Sequence, residues 1–290
     1  MSEISAKLVM ELREMTGAGM MECKKALAEV EGDLEKAVDV LRTRGLAAAA
    51  KKAGRATNEG LIVARVAADC LSAALVEVNC ETDFVSRNET FAALANKIGD
   101  AALAGMPASL EALGELALDN GTIAEAITDG IHTIGENMQI SRYACLSADK
   151  GGFSSYIHGG GRLGIIVQFD FDKPETATAE AFKVVAKDIA MQVAAANPMA
   201  VSQENFAPEV IAKEMSIYKA QAAESGKPEN IQEQIALGRM KKFYTENALV
   251  EQAFIKDPDQ SVKQVLAAAS KELGDDLSVV EFVRFELGAQ

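Results

Sequence analysis

Tryptophan is absent from this chain, aromatic residues make up 5% of it, and only two histidines occur. With so few large rings, the core must come from aliphatic and small side chains, and the abundant alanine points to helices packed closely together. The four cysteines, Cys23, Cys70, Cys80 and Cys145, stand far apart with no C-x-x-C pair. Only His132 and His158 could join them as soft ligands, so no zinc site is expected. No run approaches the roughly eighteen apolar residues of a membrane span, and the opening MSEISAKL has no basic and apolar signal region. The expectation is a soluble, cytoplasmic protein with reduced thiols, no cofactor and no metal of its own.

Positive charge is also scarce. Lys and Arg number 29 against 43 Asp and Glu, a formal net charge of −14. Such a field repels phosphate backbones and argues against nucleic acid as a partner. One basic stretch stands out, with Arg42, Arg44, Lys51, Lys52 and Arg55 and no acid from Val40 to Asn58. It reads either as a solvated helix end and linker or as a docking patch for an acidic protein surface.

What is present suffices for a substantial core: 290 residues, 49% of them hydrophobic, suggest about two domains plus smaller modules. Leu75, Val76 and Val78 lie in a short apolar run that reads as a buried strand ending at Asn79 and Cys80. Ser86 followed by Glu89 has the form of a capping box, and Phe91, Leu94, Ala95 and Ile98 follow at helical spacing. Between strand and helix, the connection from Glu81 to Val85 lacks Gly and Pro and sets Phe84 beside Asp83. Phe84 is either folded back onto the core, with Thr82 or Asp83 capping the helix, or offered to a partner.

Before this stretch, Ser5 caps a helix with Leu8, Leu12 and Met15 that TGAG, residues 16–19, breaks. A second helix starts near Met20 and ends before Gly32, and a third, opened by Asp33, stops at Gly45. Three such short helices form a small bundle. Leu46 to Gly60 reads as a helical linker, and Leu61 to Val66 begins a sheet.

After it, an internal repeat emerges. Strand, connection and long helix recur with Phe182, Val185 and Ile189 in place of Phe91, Leu94 and Ile98, which implies two sheet-and-helix subdomains facing each other. The second copy has Asp172, Lys173 and Pro174 where the first has TDFV. Between them, Leu103 to Asn137 is helical with loop signals at Gly105, Pro107 and Asn120-Gly121, and strands are expected over Gln139 to Leu146 and Phe153 to Ile157. HGGGRLG contains G-x-G-x-x-G at Gly159, Gly161 and Gly164, but a dinucleotide site needs a helix next. Leu163 to Phe169 reads as a strand, so this is a glycine hairpin with His158 at its mouth. Pro208 opens a helix bearing Ile211, Met215, Tyr218 and Ala222, the SGKP turn reverses it, and Ile231, Ile235, Met240 and Phe243 line the return of a helical hairpin. Asp257-Pro258 ends that excursion, Ser261 caps a helix through Leu273, and LSVVEFVRFEL alternates as a closing strand.

GAGMMECKKAL, VEVNCETDFV, YIHGGGRLG, GRMKKF and FVRFE, in this order and at these separations, closely resemble the bacterial elongation factor Ts family over essentially the whole chain to about Glu286. The resemblance implies a guanine-nucleotide exchange factor that binds the GTPase elongation factor Tu, in its GDP and nucleotide-free forms, during translation elongation. It implies no covalent chemistry and no catalytic residue in this chain. Thr82, Asp83, Phe84 and Val85 would enter the GTPase and dislodge its Mg²⁺, and Met20, Met21, Cys23, Lys24 and His158 would make further contacts. The implied fold is α+β: a ubiquitin-associated-like three-helix bundle over 1–46, a helical linker over 47–60, core subdomains over 61–150 and over 151–204 with 245–290, and a protruding hairpin over 205–244. Some members use that hairpin for homodimer contacts, and relatives continue past the closing strand into a helical module that touches the GTPase. Neither nucleic acid nor membrane is implied as a partner. Two rival readings remain: an enzyme with Cys80 as nucleophile, Asp83 as orienter and His158 as base, and an adaptor that binds through the hairpin from Pro208 to Tyr244.

Overall fold

The computed structural model describes residues 4–16, 18–224 and 226–289. Gly17 of the TGAG break and Ser225 of the SGKP turn lie outside the described residues. The chain mixes helix and sheet, as expected for α+β. It opens with α1 (Ala6–Thr16), α2 (Met20–Glu29) and α3 (Leu34–Lys52). Ser5 Oγ accepts the Leu8 N–H at 3.2 Å and Asp33 caps α3 by accepting the Lys36 N–H at 3.1 Å. Val9, Leu12, Cys23, Ala26, Leu27, Ala37 and Leu41 fill the space between these helices, while Met15 points outward.

Next come β1 (Glu59–Val66), β2 (Ser72–Cys80), the single turn α4 (Asp83–Ser86), α5 (Glu89–Gly105), α6 (Leu110–Glu115), the short hairpin β3 (Ala117–Leu118) and β4 (Gly121–Thr122), α7 (Ile123–Ile134) and β5 (Met138–Ser147). The second copy runs β6 (Gly152–His158), β7 (Leu163–Asp170), α8 (Glu180–Ala196), α9 (Pro208–Ala223), α10 (Glu229–Asn247), β8 (Ala253–Phe254), β9 (Asp257–Ser261), α11 (Val262–Leu273) and β10 (Ser278–Glu286). Asp257 and Pro258 thus begin β9 rather than forming a break.

The strands make two antiparallel sheets, ordered β1-β2-β5 and β10-β7-β6. Because side chains alternate across a strand, β2 sends Ala74, Val76, Val78 and Cys80 toward Phe91, Ala95 and Ile98 of α5, and Ala73 and Leu75 toward the other sheet. There they meet Phe153, Ile166 and Phe285. On the far side, Ile165, Val167 and Phe169 of β7 pack on Phe182, Val185 and Ile189 of α8. The layers therefore run helix, sheet, sheet, helix, and β2 is buried on both faces, which explains its unbroken apolar run. Glu77, buried within β2, accepts from Arg142 Nε at 2.8 Å and Asn79 Nδ2 at 2.9 Å. Arg142 also donates to the Glu286 carbonyl at 2.8 Å and stacks over Phe285, tying the two sheets together.

The repeat extends further than the strand and helix that first reveal it. Helices α5 and α8 both end on a left-handed residue, Met106 and Asn197. Helices α7 and α11 each follow a two-stranded hairpin, open with a capping box (Thr122 with Glu125, Ser261 with Gln264) and close on a left-handed glycine, Gly135 and Gly274. Where the first copy has α6, the second carries the α9–α10 hairpin, rooted by Phe206 against Phe243 and Tyr244 at centroid distances of 5.2 and 5.7 Å.

Two helix boundaries differ from the sequence expectation. Helix α3 does not stop at Gly45; it runs on to Lys52, so the bundle and the first part of the expected linker share one helix. Gly45 is buried against Thr128, Asp129 and His132 of α7, and that close approach outweighs the roughly 1 kcal/mol propensity cost of a helical glycine. The basic stretch on this helix is largely matched within the chain: Arg42 pairs with Glu125, Arg44 with Glu29, and Lys52 donates to the Ile131 carbonyl at 2.9 Å. Nor does Ser86 cap α5. Its hydroxyl donates to the Asp83 carbonyl at 3.0 Å inside α4, and Asn88 caps α5 by accepting from Thr90 N–H at 2.8 Å.

At the exit of β7, the Asp275 carboxylate accepts the N–H groups of Asp172 at 3.2 Å and Lys173 at 2.9 Å and the Thr176 hydroxyl at 2.7 Å. These bonds, the Thr176 hydroxyl foremost, pull its pKa down to about 2. A carboxylate depressed in the folded state stabilises above its unfolded pKa of about 3.9, and that contribution vanishes as pH falls through the folded value. Thermal melts between pH 5 and pH 2 are expected to show this loss in the parent and a smaller acid dependence in Asp275→Asn. Gly164 provides a second check. A methyl there would overlap Ile62 Cγ2 and stand 3.0 Å from Leu75 Cδ1 between the sheets. Gly164→Ala is expected to cost about 1–3 kcal/mol in urea unfolding.

Candidate functional site

Strand β2 ends at Cys80, opposite Glu59 in the ladder, and the chain leaves the sheet there. Thr82 has extended backbone and caps α4 by accepting the Val85 N–H at 3.4 Å. The single turn beyond it orients its side chains oppositely. Val85 packs against the core and Ser86 is buried, while Phe84 is 83% exposed, more than any other large hydrophobic side chain among the described residues. Asp83 pairs with Arg87 one turn later at 3.0 Å. Of the two sequence alternatives, Thr82 does cap a helix, yet Phe84 does not fold back. An exposed ring of this size leaves much apolar surface in water, a cost that a contact with another surface would remove.

The loop is held from below by residues that sequence reading did not single out. Glu136 accepts the backbone N–H of Glu81 at 3.1 Å and of Thr82 at 3.0 Å, and the Thr82 hydroxyl at 2.6 Å. Glu81 in turn accepts the Asn137 N–H at 2.6 Å and pairs with Arg55 at 3.3 Å, which together lower its pKa. Asn137 Nδ2 donates to the Arg55 carbonyl at 2.9 Å, so the end of the segment after α3 is fastened to the same place. The one sequence signal for Glu136 is the Gly-acid pair after α7, which recurs as Gly274-Asp275 after α11.

The glycine hairpin lies at the same end of the sandwich. Gly159, Gly160 and Gly161 all have positive φ, and after Arg162 the strand β7 begins at Leu163, as a hairpin requires. The Gly161 carbonyl accepts the Ile62 N–H at 2.8 Å, and Arg162 pairs at 2.6 Å with Glu59, the residue opposite Cys80. His158 is exposed at the mouth of this turn, with the Tyr156 hydroxyl 2.9 Å from its Nδ1. The structure thus brings the TDFV turn and His158 to one end of the molecule.

The other expected contact residues lie on the bundle. Met20 is 41% and Met21 65% exposed at the start of α2, and Lys24 is exposed one turn on. Cys23 is different. Facing α1 and α3, it is fully buried, with its thiol 3.6 Å from the Ala18 carbonyl, so it belongs to the bundle core and not to a contact surface. Helix α2 reaches the core through Glu22, whose Oε2 lies 2.9 Å from His132 Nε2 on α7.

The chemistry required by an enzyme is missing at Cys80. Burial, reinforced by the nearby Glu136 carboxylate, pushes its thiol up to about 12, and the thiol points to the Thr82 carbonyl at 3.2 Å. An activated nucleophile needs the opposite shift. Among the described residues no cluster of three or more His, Cys, Asp and Glu could hold a metal, and no helix is long and apolar enough to cross a membrane.

Comparison with known proteins agrees with the order of these features. Residues 81–289 match the family model described as Elongation factor TS, a span that begins just before the TDFV turn and ends just past β10. The chain is 48% identical over 288 residues to Elongation factor Ts of Clostridium botulinum (strain 657 / Type Ba4), covering 98% of this chain and 92% of that protein. It is 46% identical over 288 residues to Elongation factor Ts of Trichlorobacter lovleyi, covering 98% and 93%. With a family match over most of its length and near-complete alignment to these relatives, the chain belongs to the elongation factor Ts family.

Proposed function

We propose that this chain is a guanine-nucleotide exchange factor that binds the GTPase elongation factor Tu in the cytoplasm and promotes GDP release by driving the TDFV turn into it. Membership of a translation elongation factor family supports the role. The observation that carries the mechanism is Phe84, an 83% exposed ring on a turn whose entry, Glu81 and Thr82, is hydrogen-bonded to Glu136. In a P-loop GTPase, Mg²⁺ bridges the phosphates to protein oxygens and tolerates little departure from octahedral geometry. A ring wedged between two elements of the GTPase displaces the metal-ligating segments without touching the nucleotide. Thr82 and Val85 hold the wedge from its own side, and Asp83 braces the turn through Arg87.

The units divide the task. The bundle, of ubiquitin-associated type over 1–46, presents Met20, Met21 and Lys24, and residues 47–60 join it to the core. The subdomains over 61–150 and over 151–204 with 245–290 supply the wedge and, through His158, a second contact at the same end. The hairpin over 205–244 carries Ile217 and Leu237 outward, and a second copy of the chain would cover them. Reciprocity makes the coupling symmetric: whatever factor the exchange protein removes from the GTPase's affinity for nucleotide, nucleotide removes from the GTPase's affinity for the exchange protein.

Phe84→Ala is expected to slow GDP release from elongation factor Tu by a factor within the usual range of about 5–150 for coupled sites. Stopped-flow fluorescence with a labelled GDP measures this, and a parent-like rate would rule out the wedge. Because the ring is in solvent, unfolding free energy should change by no more than about 0.5 kcal/mol. Cys80 separates this function from an enzyme: at about pH 8 the folded chain should leave it unmodified by an aromatic disulfide, with reaction only on unfolding.

A further inference from the structure

We infer that Glu136 is a positioning residue for exchange, fixing the backbone from which Phe84 projects without itself meeting the partner. The inference rests on the wedge reading above. A wedge transmits force only if its base yields less than the structure it displaces. The base here is the two-residue stretch Glu81 and Thr82, and among the described residues every hydrogen bond the Glu136 carboxylate accepts comes from it: two backbone N–H groups and one hydroxyl. Glu136 is well placed to resist recoil because it stands on a different part of the chain. The left-handed turn at Gly135, φ 92°, closes α7 and sends the next residue under the loop, and Asn137 then enters the Glu81 and Arg55 network before β5 begins. A push on the ring is therefore passed to α7 and β5 and does not bend the loop alone.

The second copy provides an internal control. Asp275 follows the left-handed Gly274 as Glu136 follows Gly135, and it accepts the equivalent pair of backbone N–H groups, from Asp172 and Lys173, plus a threonine hydroxyl. The anchor is the same, but its loop continues into a short 3-10 turn, Pro174–Thr178, with no aromatic. Loss of either anchor removes comparable local structure. Only the loss of Glu136 loosens a wedge.

The test measures GDP release from elongation factor Tu as a function of concentration of the full chain, for the parent, Phe84→Ala, Glu136→Gln and Asp275→Asn. Glu136→Gln keeps the side chain's length but replaces one acceptor oxygen with a donor. It is expected to lower the limiting rate about tenfold, with the half-saturating concentration moving by less than about threefold. Asp275→Asn is expected to hold the limiting rate within about twofold although it too melts earlier. Glu136→Asp, which keeps the charge and withdraws it by one methylene, should fall between parent and Gln; if the Gln variant does not fold, an Asp variant slowed at least about threefold carries the same conclusion. Hydrogen exchange should show the Glu81 and Thr82 amides losing protection in the Glu136 variants. A parent-like limiting rate in the folded Glu136 variants while Phe84→Ala is slow would overturn the inference, as would equal slowing by Glu136→Gln and Asp275→Asn. A parent-like Phe84→Ala would remove the wedge itself, and this inference with it.

Discussion

Burial of β2 on both faces is the constraint on which the rest of the structure depends. A strand with α5 and α7 on one side and a second sheet on the other cannot slip by a residue without turning its whole apolar set the wrong way. The pair of buried Glu77 with the partly exposed Arg142 strengthens that register, since Arg142 is committed to Glu77 on β2 and to the Glu286 carbonyl on β10 at once. Such a pair adds little net stability but penalises any arrangement that separates its members. The exit point of β2 is therefore fixed in space, and so is the turn beyond it.

The duplication shows how one scaffold supports two different ends. Both copies use the same sheet order, the same capping box and left-handed glycine at the ends of α7 and α11, and a carboxylate beneath the loop that leaves the middle strand. The copies differ where packing does not dictate sequence: a phenylalanine in solvent after β2, a proline turn after β7, and a long hairpin replacing a single short helix. Shared physics within the chain marks the frame, and divergence marks the places open to specialisation.

Much of this was legible in the sequence because the strongest signals are local. The apolar run at Leu75 to Val78 and the helical spacing from Phe91 to Ile98 each reflect a face that has only one place to go. The glycine hairpin was separable from a nucleotide loop because Leu163 to Phe169 has the composition of a strand and not of a helix. Several features were not legible. Gly45 looks like a helix stop, since propensity alone cannot know that another helix passes within van der Waals reach. Ser86 and Glu89 have capping-box spacing, but Asn88 lies closer to the free N–H groups and takes the position. The outward direction of Phe84 and the support from Glu136 depend on contacts between residues far apart in sequence; the recurring Gly-acid pair marks Glu136 as part of the repeat but does not say what it holds. The resemblance implies a surface position for Cys23, and the packing of α1, α2 and α3 puts it inside.

The unbroken course of α3 has a geometric result. A helix keeps its angular phase along its length, so the orientation of the N-terminal bundle is indexed to the core by whatever stretch lies between Leu41 and Gly45. One residue inserted there would swing the bundle by about 100° while advancing it only about 1.5 Å. Met20 and Met21 would then face away from their present direction although every local contact inside the bundle survived. The spacing of this segment is thus a calibrated length, in the way a gear tooth is, and a flexible tether of the same reach could not replace it.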